Sequence, residues 1–173
     1  LPHSIEAEQA VVGAMLMDRD AILTSSEIIC GEDFYQSAYG VIFDAVVEIY
    51  NEGKPVDLIT LQERLKEKDV PAEISSLEFV RDLVTAVPTS ANVKYYAEIV
   101  SEKSMLRRLI KLNDDISNMC YLGKEPMERT MEALLGAQEQ AQSNIAPVPL
   151  FRGFNQSSNP TERNLTQRKS VYD

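Results

Sequence analysis

Apolar residues recur at three- and four-residue intervals along most of the chain, and nowhere do β-branched and aromatic residues alternate long enough to predict a strand. The pattern predicts an all-α protein. Ser4 is placed to cap a first helix. Glu6 and Glu8 fall in its opening turn, where carboxylates favour the helix dipole, and Ile5, Ala10, Val11, Ala14 and Met15 form its apolar stripe. This helix should stop near Asp18. A second, short helix over residues 19–29 should end at Gly31, a natural left-handed terminator. Tyr39, Ile42, Phe43, Val46, Ile49 and Tyr50 then share one wide face up to Gly53. Asp57 is a good cap for residues 58–68, with Leu58, Leu61 and Leu65 inward. Ser75 or Ser76 caps a helix carrying Leu77, Val80, Leu83 and Val84, which ends before Pro88 because a residue preceding proline leaves helical geometry.

The rhythm changes after the Pro88-Thr89-Ser90 loop. A helical pattern runs over residues 92–121, with a break expected near 101–104. Met105, Leu109, Leu112, Ile116 and Met119 then follow the 4-3-4-3 spacing that fits one helix against another at a shallow angle. Gly123-Lys124-Glu125-Pro126 reads as a turn, and Met127, Met131, Leu134, Gln138 and Ala141 repeat the same spacing beyond it. The organisation expected is a compact globular helical bundle over 1–100, followed by an extended antiparallel helical hairpin over 101–142. The stripes pack within the hairpin. Leu106, Ile110 and Leu135 extend the apolar surface beyond that seam and form a candidate oligomer face, with Met105, Leu109 and Met131 beside them. Residues 143–173, with Pro147, Pro149, Gly153 and Pro160 among runs of Asn, Gln and Ser, read as an extended or disordered tail.

Composition narrows the function. With 173 residues, 44% of them hydrophobic and 25% charged, the chain can build a real core. The formal charge of −10 is uneven: residues 1–142 hold 13 Lys and Arg against 25 Asp and Glu, whereas residues 143–173 hold 4 against 2. An acidic body is a poor sequence-independent binder of DNA, because neutralising phosphates needs clustered cations. Its one basic cluster is Lys103, Arg107, Arg108 and Lys111. These residues are read as a solvated flank or, for Arg107, Arg108 and Lys111, as a candidate contact with an acidic partner or a nucleic-acid strand.

Catalytic chemistry is hard to assemble from this inventory. His3, the single histidine, precedes a helix cap and is expected to be solvated or capping, and Cys30 and Cys120, far apart and without companions, are expected to be buried reduced thiols. Neither Gly53-Lys54-Pro55 nor Gly123-Lys124-Glu125 has the glycine loop and hydroxyl of a phosphate-binding motif. The adjacent acids Glu32-Asp33 and Asp114-Asp115 do not share a helix face and read as solvated. No catalytic residue, cofactor site or metal site is expected in this chain. No stretch reaches the ~18–20 apolar residues of a membrane span, and with no leader pattern at the start the expected location is cytoplasmic.

The segment Pro2-His3-Ser4-Ile5-Glu6-Ala7-Glu8-Gln9-Ala10-Val11-Val12-Gly13 resembles the opening of the N-terminal domain of bacterial replicative DNA helicases of the DnaB family. Asp33-Phe34-Tyr35, Val56-Asp57-Leu58-Ile59-Thr60-Leu61, Val87-Pro88-Thr89-Ser90-Ala91-Asn92, Tyr95-Tyr96-Ala97-Glu98-Ile99-Val100 and Leu106-Arg107-Arg108-Leu109-Ile110 resemble that family in the same order, over roughly residues 2–142. The resemblance implies a non-catalytic collar whose hairpin pairs with a neighbour's, giving a trimer of dimers in a hexamer. It also implies docking of primase and, in some bacteria, of the helicase loader. Single-stranded DNA would pass only through the full ring, and ATP and Mg would belong to a motor domain in the parent protein. Residues 143–173 do not resemble the family. The competing expectation is a standalone adaptor or regulator with a helicase-like N-domain and a partner-binding tail.

Overall fold

The computed structural model describes residues 1–124 and 126–145, and among them it is all-helical. Helix α1 (Ile5–Met17) begins at Ser4, whose hydroxyl accepts the Ala7 backbone N–H at 3.3 Å. Asp18 stops it with extended backbone and also starts α2 (Arg19–Ser26), its carboxylate accepting the Asp20 N–H at 3.0 Å. That second helix is shorter than expected. The buried Ser25 hydroxyl bonds back to the Ala21 carbonyl at 2.7 Å, and the Ser25 carbonyl takes the N–H groups of both Ile28 and Ile29, which turns the chain and buries Ile29.

Gly31 is not a left-handed terminator; among the described residues the glycines with positive φ are Gly53 and Gly123. Gly31 instead opens a 3-10 turn, Gly31–Asp33, and lies so close to Asp44 that a Cβ would collide with its carboxylate. Helix α3 (Ser37–Asn51) follows and ends at Gly53, as its periodicity predicts. Asp57 caps α4 (Leu58–Glu67) through the N–H groups of Ile59 and Thr60, at 2.9 and 2.8 Å. Ser76 rather than Ser75 caps α5 (Leu77–Thr85), accepting from Phe79 at 3.2 Å. Leu77, at the first helical position, is exposed rather than inward.

The expected break near 101–104 is absent, and α6 (Val93–Leu122) is continuous for 30 residues. The Ser104 hydroxyl points away from its own helix to the Asp33 carboxylate, so it does not compete for helical hydrogen bonds. After Gly123 (φ 57°) the chain enters α7 (Met127–Ile145). Residues 143–145, expected to open the tail, continue α7, and the rest of the expected tail, from residue 146 on, lies outside the described residues.

The chain divides into two compact units inside α6, between Ile110 and Lys111. In the first unit α1 is central and packs on α2, α3 and α5, while α4 packs on α3 and α5. Val11, Val12, Met15, Ile22, Ile42, Phe43, Ile49, Leu61, Leu65 and Leu83 are buried in one core, joined by Ala97 and Val100 of α6. Burying each large aliphatic side chain is worth about 1.5–3 kcal/mol, so this core, built on few aromatic rings, carries the unit. Ile5 and Ala10 are only half-buried; Ala7 and Val12 take their places on the inner face of α1.

In the second unit the partly covered positions of α6 are Leu112, Ile116, Ser117 and Met119, consistent with the expected stripe. The stripe assigned to α7 is overturned. Met127, Met131, Leu134 and Gln138 are exposed, and the partly covered positions are Thr130, Ala133 and Ala137. Small side chains occupy the shielded face, so size and apolarity alone point to the wrong stripe. The Ala141 side chain is outside the described set.

Candidate protein-interaction site

Met105, Leu106, Leu109 and Ile110 lie on α6 in the first unit, and Met131 and Leu135 on α7 in the second. Leu106 and Ile110 are one helical turn apart and 38% and 39% exposed, whereas Met105 and Leu109 are half-buried beside them. Met131 and Leu135, also one turn apart, are 50% and 55% exposed. Single exposed aliphatic residues are ordinary on a protein surface. Pairs stacked along a helix are less so, because each leaves a continuous apolar strip in water.

The arginines of the basic cluster are turned inward to the chain itself. Arg107 donates from Nη1 to the Pro2 carbonyl at 2.7 Å and from Nη2 to the Asp33 carbonyl at 2.6 Å. Its guanidinium lies 5.7 Å from the centre of the Tyr35 ring, on which His3 also stacks at 4.2 Å and 10°. Arg108 donates from Nη2 to Asp33 Oδ1 at 2.7 Å while remaining half-exposed. Lys111 is exposed. The three cations expected to act together therefore differ, and only Arg108 and Lys111 keep substantial solvent access.

Two acids to which the sequence pattern assigned no partner organise this region. Asp33 was expected to be solvated, yet its side chain is only 13% exposed and receives Ser104 Oγ–H at 2.7 Å as well as Arg108. Its second oxygen accepts the Cys30 backbone N–H at 2.9 Å. Glu8 is buried, and its two oxygens accept the N–H groups of Tyr35 and Gln36 at 2.7 and 3.0 Å, just ahead of α3. Glu8 serves backbone groups 27 and 28 residues away and Asp33 serves side chains more than 70 residues away, which periodicity cannot register. The segments Ile5-Glu6-Ala7-Glu8 and Asp33-Phe34-Tyr35 carry the family resemblance, and that was the one available signal.

The thiols are also corrected: Cys30 and Cys120 are both exposed. Cys30 occupies the loop before the 3-10 turn, where burial and the neighbouring Asp33 push its pKa up, and Cys120 lies on an outer face of α6. His3 is exposed and does not cap α1, a role taken by Ser4. A cleft of 310 Å³ is lined by Met15, Leu16, Met17, Asp18, Arg19, Ile22, Pro55 and Val56. Its polar groups are already engaged, Asp18 with Asp20 and Ser90, and Arg19 over the Tyr50 ring. Nothing in it is poised for bond-making chemistry. Among the described residues no group of His, Cys, Asp and Glu is placed to hold a metal ion, and no helix is long and apolar enough to cross a membrane.

Residues 1–102 match the family described as DnaB-like helicase N terminal domain. The replicative DNA helicase DnaB of Geobacillus stearothermophilus is 44% identical over 127 residues, which are 73% of this chain and 28% of that helicase. The chain thus spans little more than a quarter of the curated relative. In three dimensions it is similar to the N-terminal domain of DnaB helicase from Mycobacterium tuberculosis, with a TM-score of 0.70 and 34% identity, covering 83% of this chain and 97% of that one. The fold is also that of the N-terminal domain of DnaB helicase from Helicobacter pylori, a structure described with its interactions with primase; here the TM-score is 0.60 and the identity 20%, over 67% of this chain and 90% of that one.

Proposed function

We propose, for a chain that belongs to the family of DnaB-like helicase N-terminal domains, that it is the non-catalytic collar of a replicative DNA helicase. It assembles dimers, and from them a hexamer built as a trimer of dimers, and it docks primase and, in some bacteria, the helicase loader during DNA replication in the cytoplasm. ATP and Mg belong to the motor domain of the parent protein, and single-stranded DNA meets this domain only in the full ring. The observation that carries the reading is the pair of solvent-exposed aliphatic strips, Leu106 with Ile110 and Met131 with Leu135, on the last two helices. The primase interactions described for the Helicobacter pylori domain support the docking role.

Sedimentation of Ile110→Asp against the unaltered chain tests the assembly role. A carboxylate in an apolar contact loses its hydration without a partner, so the variant should be monomeric at concentrations where the parent associates. It should keep its helical signal, because Ile110 is not in the core. A dimer that persists at micromolar concentration refutes the assignment of this face. Calorimetric titration with the C-terminal domain of the matching primase tests docking, and absence of heat and of co-elution at tens of micromolar counts against it. ATP hydrolysis by this chain should stay at background with single-stranded DNA present.

A further inference from the structure

We infer that Asp33 is the positioning residue for the Leu106/Ile110 face of α6, an inference that rests on the reading of that face as an assembly surface. Ser104, Arg107 and Arg108 are spaced i, i+3, i+4 and so lie on one side of the helix. All three donate to Asp33: Ser104 and Arg108 to Oδ1 at 2.7 Å each, and Arg107 to the main-chain carbonyl at 2.6 Å. The 3-10 turn that presents Asp33 is itself fixed, because its carboxylate accepts the Cys30 N–H and the Gly31 N–H bonds to Asp44 at 2.9 Å. Leu106 and Ile110 lie more than a quarter-turn round the helix from this gripped side.

A helix held on one side at three positions cannot roll about its axis without breaking charge-assisted hydrogen bonds, two of them from largely shielded donors. Ser104 is buried and Arg107 half-buried, so water does not readily replace Asp33 as their acceptor. The cluster therefore sets which face of α6 is offered to a partner. The alternative arrangement, a roll that turns Leu106 and Ile110 toward the unit's own surface, would hide the strip.

The test uses the full chain and two readouts. In Asp33→Ala, backbone amide exchange across 104–110 should rise at least tenfold while α4 is unchanged, and dimer affinity should fall at least tenfold. Arg108→Ala, whose side chain is half-exposed and not part of the core, should move both quantities in the same direction by less. The double variant Asp33→Ala/Arg108→Ala should be no worse than Asp33→Ala, since the two groups act through one contact. Asp33→Asn, which keeps an acceptor oxygen for Ser104 but loses the attraction to Arg108, should fall between. Unchanged exchange in both single variants overturns the inference, as does unchanged dimer affinity where Ile110→Asp abolishes the dimer. Strict additivity in the double variant also overturns it. If Ile110→Asp leaves the dimer intact, the reading of the face fails, and the exchange data alone decide whether Asp33 holds the helix.

Discussion

Glu8 and Tyr35 are 27 residues apart in the chain, yet Glu8 Oε1 accepts the Tyr35 backbone N–H at 2.7 Å. Its other oxygen takes Gln36, and the Gln36 side chain offers α3 no cap of its own. A buried carboxylate is thus the acceptor that the N-terminus of α3 would otherwise lack. Glu8→Ala should leave two backbone donors unsatisfied and cost about 2–5 kcal/mol in urea unfolding. Glu8→Gln, which sets a side-chain donor against one of those donors, should show a smaller loss. Equal stability of all three chains would contradict this assignment.

Helices α3 and α4 are tied by charge. Arg64 donates to both oxygens of Glu52, at 2.8 and 2.7 Å, and to Glu48 at 3.2 Å, while Lys68 reaches Glu48 at 2.7 Å. Arg64, followed by Lys54, holds the Glu52 carboxyl at about 2, and Lys68, followed by Arg64, lowers that of Glu48. Both folded values lie below the unfolded carboxylate range, about 4.3. The unfolded chain therefore binds more protons, and this stabilisation is complete above that range and lost as the pH falls toward about 2. Asp44, raised chiefly by burial, has the opposite sign, so its contribution declines as the pH rises through its folded value. Arg64→Met should lower stability modestly at neutral pH and leave it little changed near pH 2, so that the acid limb of a stability profile flattens between about pH 5 and 2; an unaltered acid limb would count against the network.

At Gly13, α1 lies close against the last turns of α5 and the residue Val87 beyond it. A Cβ there would lie 2.5 Å from the Leu83 carbonyl oxygen and 2.5 Å from Val87 Cγ2. Alanine within a helix gains about 1 kcal/mol over glycine, but overpacking costs about 1–3 kcal/mol and the Leu83 carbonyl is backbone that cannot swing aside. Gly13→Ala should therefore lower the melting temperature, and a rise would show that the helices separate easily.

Leu61 is fully buried beneath α3 and α5, in contrast to Ile110. Leu61→Asp should reduce both helical signal and melting temperature, since the charge would be enclosed by apolar neighbours. If it unfolds the chain no more than Ile110→Asp does, the division between core and assembly face is wrong.

Helix type, the caps at Ser4 and Asp57 and the stop at Gly53 were legible in the sequence because each depends on residues within one or two turns. The 3-10 turn at Gly31–Asp33 was not, since three residues carry no period. Neither were the targets of Arg107: a basic cluster shows its charge, but the Pro2 and Asp33 carbonyls it meets exist only once the chain has folded back. The covered face of α7 was misread because alanine and threonine weigh less than methionine and leucine in an apolar pattern, whatever their packing. Exposure of Leu106 and Ile110 agreed with their place beside the seam.

The carbonyl of Pro2 is bound by Arg107, 105 residues later in synthesis, and α1 rests on α5 where Gly13 meets the Leu83 carbonyl. As the polypeptide leaves the ribosome, its first helix emerges with an apolar face whose later partners have not yet been made. Closure of the core over α1 must await emergence of α5, so a nascent chain stalled before that point would present Val11, Val12 and Met15 to chaperones instead of to its own core.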